Sequence, residues 1–322
     1  MPDPNLNTIL KKSNKSALLI LMILIIVLLL LLLIGYINIK NPIVKDIVTV
    51  KHAEPTLSAI VTTSDNKITV GAFNIQRFGI TKASKPEIMG VLSKIIRNYD
   101  VIAVQEIRNL SSQTTLPMLR DDLNSIGSPQ YEYVVGKTTN EEQYAYFYNI
   151  QTIQLIGSPY RYPYLNDIFQ REPYLAEFKV KNGNFDFVLI TIHAYPDTAT
   201  PEIKHISKVV EDAKKRYKGQ DAFIVLGDLN ADCTYFKNNR QSPLRSGDYY
   251  WVINKSLDTT TTKRTDCAYD RIIITTPALT DFTGESGVLR FDTAYNLSYD
   301  STIAVSDHYP VYANFWSNND TD

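Results

Sequence analysis

Five short apolar runs in this 322-residue chain stop at groups that can do chemistry. Phe73 is followed by Asn74. Val104-Gln105 leads to Glu106-Ile107-Arg108, and Ile190-Thr191-Ile192 leads to His193. Ile224-Val225-Leu226-Gly227 leads to Asp228-Leu229-Asn230, and Ala304-Val305-Ser306 leads to Asp307-His308-Tyr309. A strand that ends this way sets carboxylates, amides or imidazoles at a sheet rim, where sites commonly lie. Each ending alone has a bland reading: a strand-end Glu faces solvent, Gly-Asp-x-Asn is turn chemistry, and a single His is as readily structural. Five in one chain define a site. Carboxylate and amide oxygens suit a hard cation such as Mg²⁺, Mn²⁺ or Ca²⁺, not zinc. Two imidazoles beside carboxylates suit proton transfer near neutral pH. The combination points to metal-assisted hydrolysis of a phosphate ester.

These groups need elements to hold them. Residues 67–73 alternate and are rich in β-branched side chains, as a strand requires. Residues 101–104, 144–148, 175–180, 185–192, 223–226, 271–275 and 310–315 also read as strands. Helical spacing covers 85–98, through Ile88, Val91, Leu92 and Ile95. A second helix opens at Thr200-Pro201-Glu202 and runs to about Tyr217, with Ile203, Ile206, Val209, Val210 and Ala213 on one face. Strands outnumber helices and several are consecutive. This predicts an α/β (α+β) layered sandwich with mixed sheets, not a doubly wound parallel sheet.

Composition limits the classes. Lys and Arg number 33 against 34 Asp and Glu, a net charge of −1, which excludes a generally basic nucleic-acid coat protein. Two Cys exclude a disulfide-dense scaffold or a four-Cys zinc site. The apolar content is uneven: residues 17–34 are uninterrupted apolar, long enough at about 1.5 Å per residue to cross a membrane as a helix. The expected organisation is a short tail (1–16), a transmembrane helix or signal anchor (17–37), a linker (38–66) and a catalytic domain (67–318). The run is longer than a secretory h-region and lacks a good cleavage site, which favours an anchor over a cleaved signal. Lysines flank it on both sides, so charge does not orient it. The short tail is the easier part to leave inside, which puts the catalytic domain outside or in a lumen, with secretion after cleavage as the alternative.

The motifs Gly71-Ala72-Phe73-Asn74-Ile75, Val104-Gln105-Glu106-Ile107-Arg108, Gly227-Asp228-Leu229-Asn230-Ala231-Asp232-Cys233, Cys267-Ala268-Tyr269-Asp270-Arg271 and Ser306-Asp307-His308-Tyr309-Pro310-Val311 together resemble the endonuclease/exonuclease/phosphatase superfamily. Asn-Ala-Asp-Cys and Cys-Ala-Tyr-Asp-Arg resemble its deoxyribonuclease I branch. The resemblance covers 67–316 and implies a four-layer sandwich, two packed mixed sheets flanked by helices. It also implies an enzyme that cuts DNA with little sequence specificity; the chain is expected to be a monomer. Glu106 would be the principal ligand of Mg²⁺ or Mn²⁺, with Asn74, Asp228 and Asp307, and Asn230 would help bind the phosphate. His193 and His308 would be the acid and base, with Glu142 orienting His193 and Asp270 orienting His308. Which imidazole is the acid stays open. Arg108 would enter the minor groove and Arg171 would contact a backbone phosphate, with Tyr269 also near substrate. Cys233 and Cys267 would form a structural disulfide. Asp167, Phe169 and Glu172 match part of a structural Ca²⁺ site, and 258–265 resembles a second with altered spacing.

This chain also departs from the family pattern. Gln76 replaces an Arg near the phosphate, with Arg77 adjacent, and Asn140 replaces an aromatic that stacks on a sugar. A second, smaller disulfide has no Cys here. Two other functions remain open: a phosphodiesterase acting on a phospholipid such as sphingomyelin, which a membrane anchor would make local, and an inactive binding domain.

Overall fold

The computed structural model describes residues 66–321 apart from 109–110, 137–141, 164–167 and 237–240. The described residues all belong to one compact unit. The expected membrane segment (17–37) and nearly all of the linker (38–66) lie outside the described residues. Among the described residues no helix is long and apolar enough to cross a membrane.

Among the described residues, twelve strands form two six-stranded mixed sheets. The first holds β1 (Lys67–Phe78), β2 (Val101–Arg108), β3 (Tyr131–Val135), β4 (Glu142–Asn149), β11 (Phe282–Val288) and β12 (Val311–Trp316), in the order β11-β12-β1-β2-β4-β3. The second holds β5 (Ile153–Arg161), β6 (Tyr174–Val180), β7 (Asp186–Thr191), β8 (Phe223–Asp228), β9 (Tyr249–Trp251) and β10 (Asp270–Thr275), in the order β5-β6-β7-β8-β10-β9. Among the described strands only β1–β2 and β7–β8 pair in parallel. Each of those pairs is joined by a helical crossover, as parallel strands require. The helices are α1 (Ile80–Ala83), α2 (Pro86–Ile96), α3 (Ser112–Ser125), α4 (Ala199–Arg216), α5 (Phe291–Ala294) and α6 (Tyr299–Val305).

Three apolar layers follow from strand alternation. Val70, Ala72, Tyr144, Tyr146, Phe187, Leu189, Ile224, Leu226, Ile272 and Ile274 face the other sheet and form the central core. Phe73, Ile75, Ile102 and Val104 face the opposite way, against α2 and α3. Val188, Ile190, Phe223 and Val225 pack on α4. The expected sandwich of two mixed sheets between helices is thus present. Strands β3, β5, β9 and β11 and helices α1, α3, α5 and α6 lie outside the sequence expectation; α1 and α5 are single turns, and α3 is polar on average and carries Pro117 internally, so its apolar period is weak.

Candidate active site

The inward alternation does not stop where the apolar residues stop. Stepping by two along β1 gives Val70, Ala72, Asn74, and along β8 Ile224, Leu226, Asp228. Strand β10 read backwards gives Ile274, Ile272, Asp270, and β4 gives Tyr146, Tyr144, Glu142. Beyond β7 the step is Phe187, Leu189, Thr191, His193. All five polar groups therefore project into the seam between the sheets, at one rim.

Two imidazole–carboxylate couples face each other there. His193 Nδ1 lies 3.0 Å from Glu142 Oε2, and His308 Nδ1 lies 2.8 Å from Asp270 Oδ2. Each ring turns its Nε2 toward the same oxygen, Asp228 Oδ2, at 3.5 Å. Asn74 Nδ2 donates to that oxygen at 3.1 Å and to Glu106 Oε1 at 2.9 Å. The Asn230 amide donates to Asp228 Oδ1 at 3.0 Å, while its side chain donates to the Ala194 carbonyl at 2.9 Å.

Backbone irregularities complete the rim. Gln76 and Arg77 have φ of 46° and 51°, and Glu106 has φ of 62°. The β1–β2 register breaks between Asn74 and Phe78, so Glu106 leaves the ladder with its carboxylate at the surface. Left-handed backbone at a Glu is strained and persists because the surroundings hold it. Here the Arg77 amide donates to Glu106 Oε2 at 2.9 Å. Gly227, at φ 134°, is required by close packing: a Cβ there would lie 2.2 Å from the Ile192 carbonyl oxygen, just before His193.

Burial and charge set the protonation states. Burial of His308 works against its charge, but Asp270 and Asp228 outweigh it and hold the imidazole well above its usual value. Burial also opposes the charge on His193; Glu142 and Asp228 still raise it, and the nearby Arg171 works against them. Burial of Asp228 disfavours its charge, yet the two imidazoles, the Asn230 amide and Asn74 keep it below the ordinary carboxylate range. Burial pushes Asp270 up, with His308 opposing. Glu142 is held low despite burial, by its bond to His193 and the charges of His193, Arg171 and Arg108.

The remaining expected residues take these places. Arg108 ends β2 opposite Glu142 in the β2–β4 register. Arg171, expected on a phosphate, grips Glu142 through Nε at 2.9 Å and Nη2 at 3.2 Å, and Nη1 reaches the His193 carbonyl at 3.4 Å. The Tyr269 ring centroid is 6.3 Å from that of His308. Cys233 and Cys267 are joined as a disulfide, with Cα atoms 6.0 Å apart. Of the first calcium set, Asp167 lies outside the described residues. Phe169 packs edge-on against Tyr162, and Glu172 is buried and meets Arg161 at 3.3 Å. In the second, Asp258 Oδ1 accepts from the Thr260 amide, the Thr260 hydroxyl and the Cys267 amide.

The donor set near Glu106 fits a hard cation. Glu106 and Asn74 lie side by side at the rim, and Asp307 Oδ1 is buried without a hydrogen-bond partner. An orphaned buried carboxylate oxygen of this kind calls for a cation or an ordered water. Asp228, Asp270 and His308 also bring ligand atoms within 4.8 Å of one another. In that cluster the His308–Asp270 bond already occupies Nδ1, and at the rim both Glu106 carboxylate oxygens accept, from the Asn74 side chain and the Arg77 amide.

Sequence reading missed four supports. The Tyr144 hydroxyl accepts from the His193 amide at 3.0 Å, and Gln105 Nε2 donates across the seam to Thr191 Oγ1 at 2.9 Å. Ser306 Oγ donates to the Asn74 carbonyl at 2.6 Å, and Lys82 Nζ donates to three carbonyls beside the site. Inward alternation marks Tyr144 and Gln105 as facing the seam, but no local pattern marks Lys82.

This fold and this site define the class: the chain belongs to the endonuclease/exonuclease/phosphatase family, whose family model matches residues 71–308. Within it the chain belongs to the deoxyribonuclease I group. It is 34% identical over 255 residues to deoxyribonuclease gamma of Rattus norvegicus, covering 74% of this chain and 82% of that protein. It is 33% identical over 257 residues to deoxyribonuclease-1 of Bos taurus, covering 75% and 90%. Solved structures match in fold. A family protein from Leptotrichia buccalis superposes with TM-score 0.58 at 13% identity, covering 77% of this chain and 99% of that one. D. rerio TDP2 complexed with a single strand DNA product gives 0.56 at 15% identity, covering 78% and 99%.

Proposed function

We propose that this chain is a divalent-metal-dependent deoxyribonuclease that hydrolyses DNA phosphodiester bonds with little sequence specificity. The observation that carries the reading is the pair of imidazole–carboxylate couples converging on Asp228. The relatives named as deoxyribonucleases support DNA as the substrate. Glu106, with Asn74 and Asp307, would hold Mg²⁺ or Mn²⁺, which when bound would neutralise charge on the phosphate.

The protein groups divide the proton work. Arg171 competes for Glu142, so His193 is the less firmly cationic imidazole and takes the proton of the attacking water. His308, backed by two carboxylates, carries the proton given to the leaving 3′ oxygen. Asp228 keeps both rings charged or hydrogen-bonded in turn, and the Asn74 and Asn230 amides hold Asp228 in place. Arg108 and Tyr269 contact the DNA; minor-groove contact of this kind reads sequence weakly.

The apolar run at 17–34 supports a single-pass anchor, with the catalytic domain in an extracellular or luminal, oxidising compartment that the disulfide suits. Ca²⁺ at 258–265 would act on the fold. The test is cleavage of supercoiled plasmid and of sphingomyelin vesicles by the wild type, His193→Ala and His308→Ala, with Mg²⁺ and with chelator. Expected are nicked plasmid from the wild type with Mg²⁺ only, at least ~10³-fold less from either variant, and intact vesicles. Untouched plasmid, or equal cutting by the variants, refutes the nuclease reading; hydrolysed vesicles would transfer it to the phospholipid substrate.

A further inference from the structure

Lys82 is a half-buried cation that the proton transfers above do not use. It sits on the short helix α1, directly after the irregular end of β1. Its Nζ donates to the carbonyls of Ile75 at 2.8 Å, Gln76 at 2.7 Å and Val305 at 2.7 Å. All three acceptors need a partner. The carbonyls of Ile75 and Gln76 lie where β1 leaves its ladder, in backbone at φ of 46° and 51° for Gln76 and Arg77. The Val305 carbonyl ends α6, where helices leave carbonyls unpaired and favour a cation. One ammonium with three donors satisfies all of them.

Those acceptors belong to the two halves of the site. Ile75 and Gln76 follow Asn74, and the Gln76 amide donates to Asn74 Oδ1 at 3.0 Å. Val305 precedes Ser306, Asp307 and His308. Burial lowers the Lys82 pKa to about 8, with the charges of Asp307 and Glu106 opposing that fall. A second tie spans the same gap: Ser306 Oγ donates to the Asn74 carbonyl, and the His308 amide donates to Ser306 Oγ at 3.0 Å. The Lys82 staple and the Ser306 staple together join the β1 end to the α6–β12 loop.

We infer that Lys82 is a positioning residue: by clamping the end of β1 to the end of α6 it sets the gap between the Asn74–Glu106 pair and the Asp307–His308 pair. The inference rests on the proposed function, which places the scissile phosphate in that gap. A positioning error of about 1 Å in such a site costs on the order of 100-fold in rate. Because Lys82 Nζ is spent on three backbone carbonyls, its loss is expected to act on turnover and not on substrate affinity.

The experiment compares wild type, Lys82→Met and Lys82→Arg in two measurements. The first is plasmid nicking with Mg²⁺, separated into kcat and KM. Lys82→Met is expected to lose roughly 30-fold or more in kcat with KM within about threefold, and Lys82→Arg, which keeps charge but not the single donor point, about fivefold. The second is hydrogen exchange of the folded protein, which needs no activity. In Lys82→Met, segments 74–78 and 304–308 are expected to exchange faster together, while α4 is unchanged. A wild-type kcat in Lys82→Met, a rise in KM that accounts for the whole loss, or exchange that quickens uniformly overturns the inference. If Lys82→Met does not fold, Lys82→Arg decides: a kcat loss at constant KM supports the clamp, and wild-type kcat overturns it. A wild type that leaves plasmid intact defeats the nuclease reading alone, and the exchange measurement still judges the clamp.

Discussion

Replacing Asp270 by Asn removes the charge behind His308 with almost no change of volume. Asp270 is fully buried, and its Oδ2 lies 2.8 Å from His308 Nδ1. A hydrogen bond between charged partners contributes about 1.5–3 kcal/mol. At about 1.4 kcal/mol per tenfold, its loss from the transition state lowers kcat by roughly 10- to 150-fold. The wrong tautomer adds to this. The new amide can donate to Nδ1 and force the single ring proton onto Nε2 of a neutral ring, and in a serine protease the equivalent exchange costs about 10⁴. The pH profile carries a separate signature. A group that must give a proton works below its pKa, and Asp270 is one of the groups holding the His308 pKa up. The alkaline limb of kcat therefore moves to lower pH in Asp270→Asn. The assay is single-turnover nicking of supercoiled plasmid with Mg²⁺ across pH 5–9, with circular dichroism to confirm folding. A kcat within about threefold of wild type, or an alkaline limb that stays in place or moves up, would refute the role of this couple.

Two further predictions test the supports. Arg171→Met should raise the His193 pKa, because Arg171 opposes the charge on that ring; a base works above its pKa, so the acid limb of kcat moves to higher pH, and a limb that moves down refutes the division of proton work. The double variant Cys233→Ala/Cys267→Ala should lose about 3–4 kcal/mol in urea denaturation, since the bridge spans a sequence separation of 34; a loss below about 1 kcal/mol would show that Arg271, buried and bonded to the carbonyls of Ile253 and Ala231, already pins this region.

Much of the site was legible because strand periodicity and chemistry coincide. Asn74, Asp228 and His193 each follow an apolar run directly, so the sequence marks both the strand and the group at its end. Glu142 was different. It begins β4, but the sequence reading started that strand at Tyr144, and only family resemblance assigned it. Arg171 lies in a loop between strands, and its grip on Glu142 is a contact between distant segments that no spacing encodes. Lys82 was invisible for a further reason. Its partners are backbone carbonyls, which every residue has, so no side-chain pattern can announce the pairing.

The placement of the site on the central core explains why its parts depend on one another. The stripe that supplies Val70, Ala72, Ile224, Leu226, Ile272 and Ile274 to the core continues into Asn74, Asp228 and Asp270. The packing that keeps water from the apolar positions also lowers the dielectric around the charges one step further on. Unpaired, each of those charges would be costly there. Paired, Asp228 is held low and both imidazoles are held high, although burial acts against all three. The charges therefore stabilise one another as a set, and removal of one changes the protonation of the rest. That makes the alkaline limb in Asp270→Asn more diagnostic than the loss of rate, since a local packing defect could slow turnover but would not move the titration of a ring whose Nε2 faces Asp228.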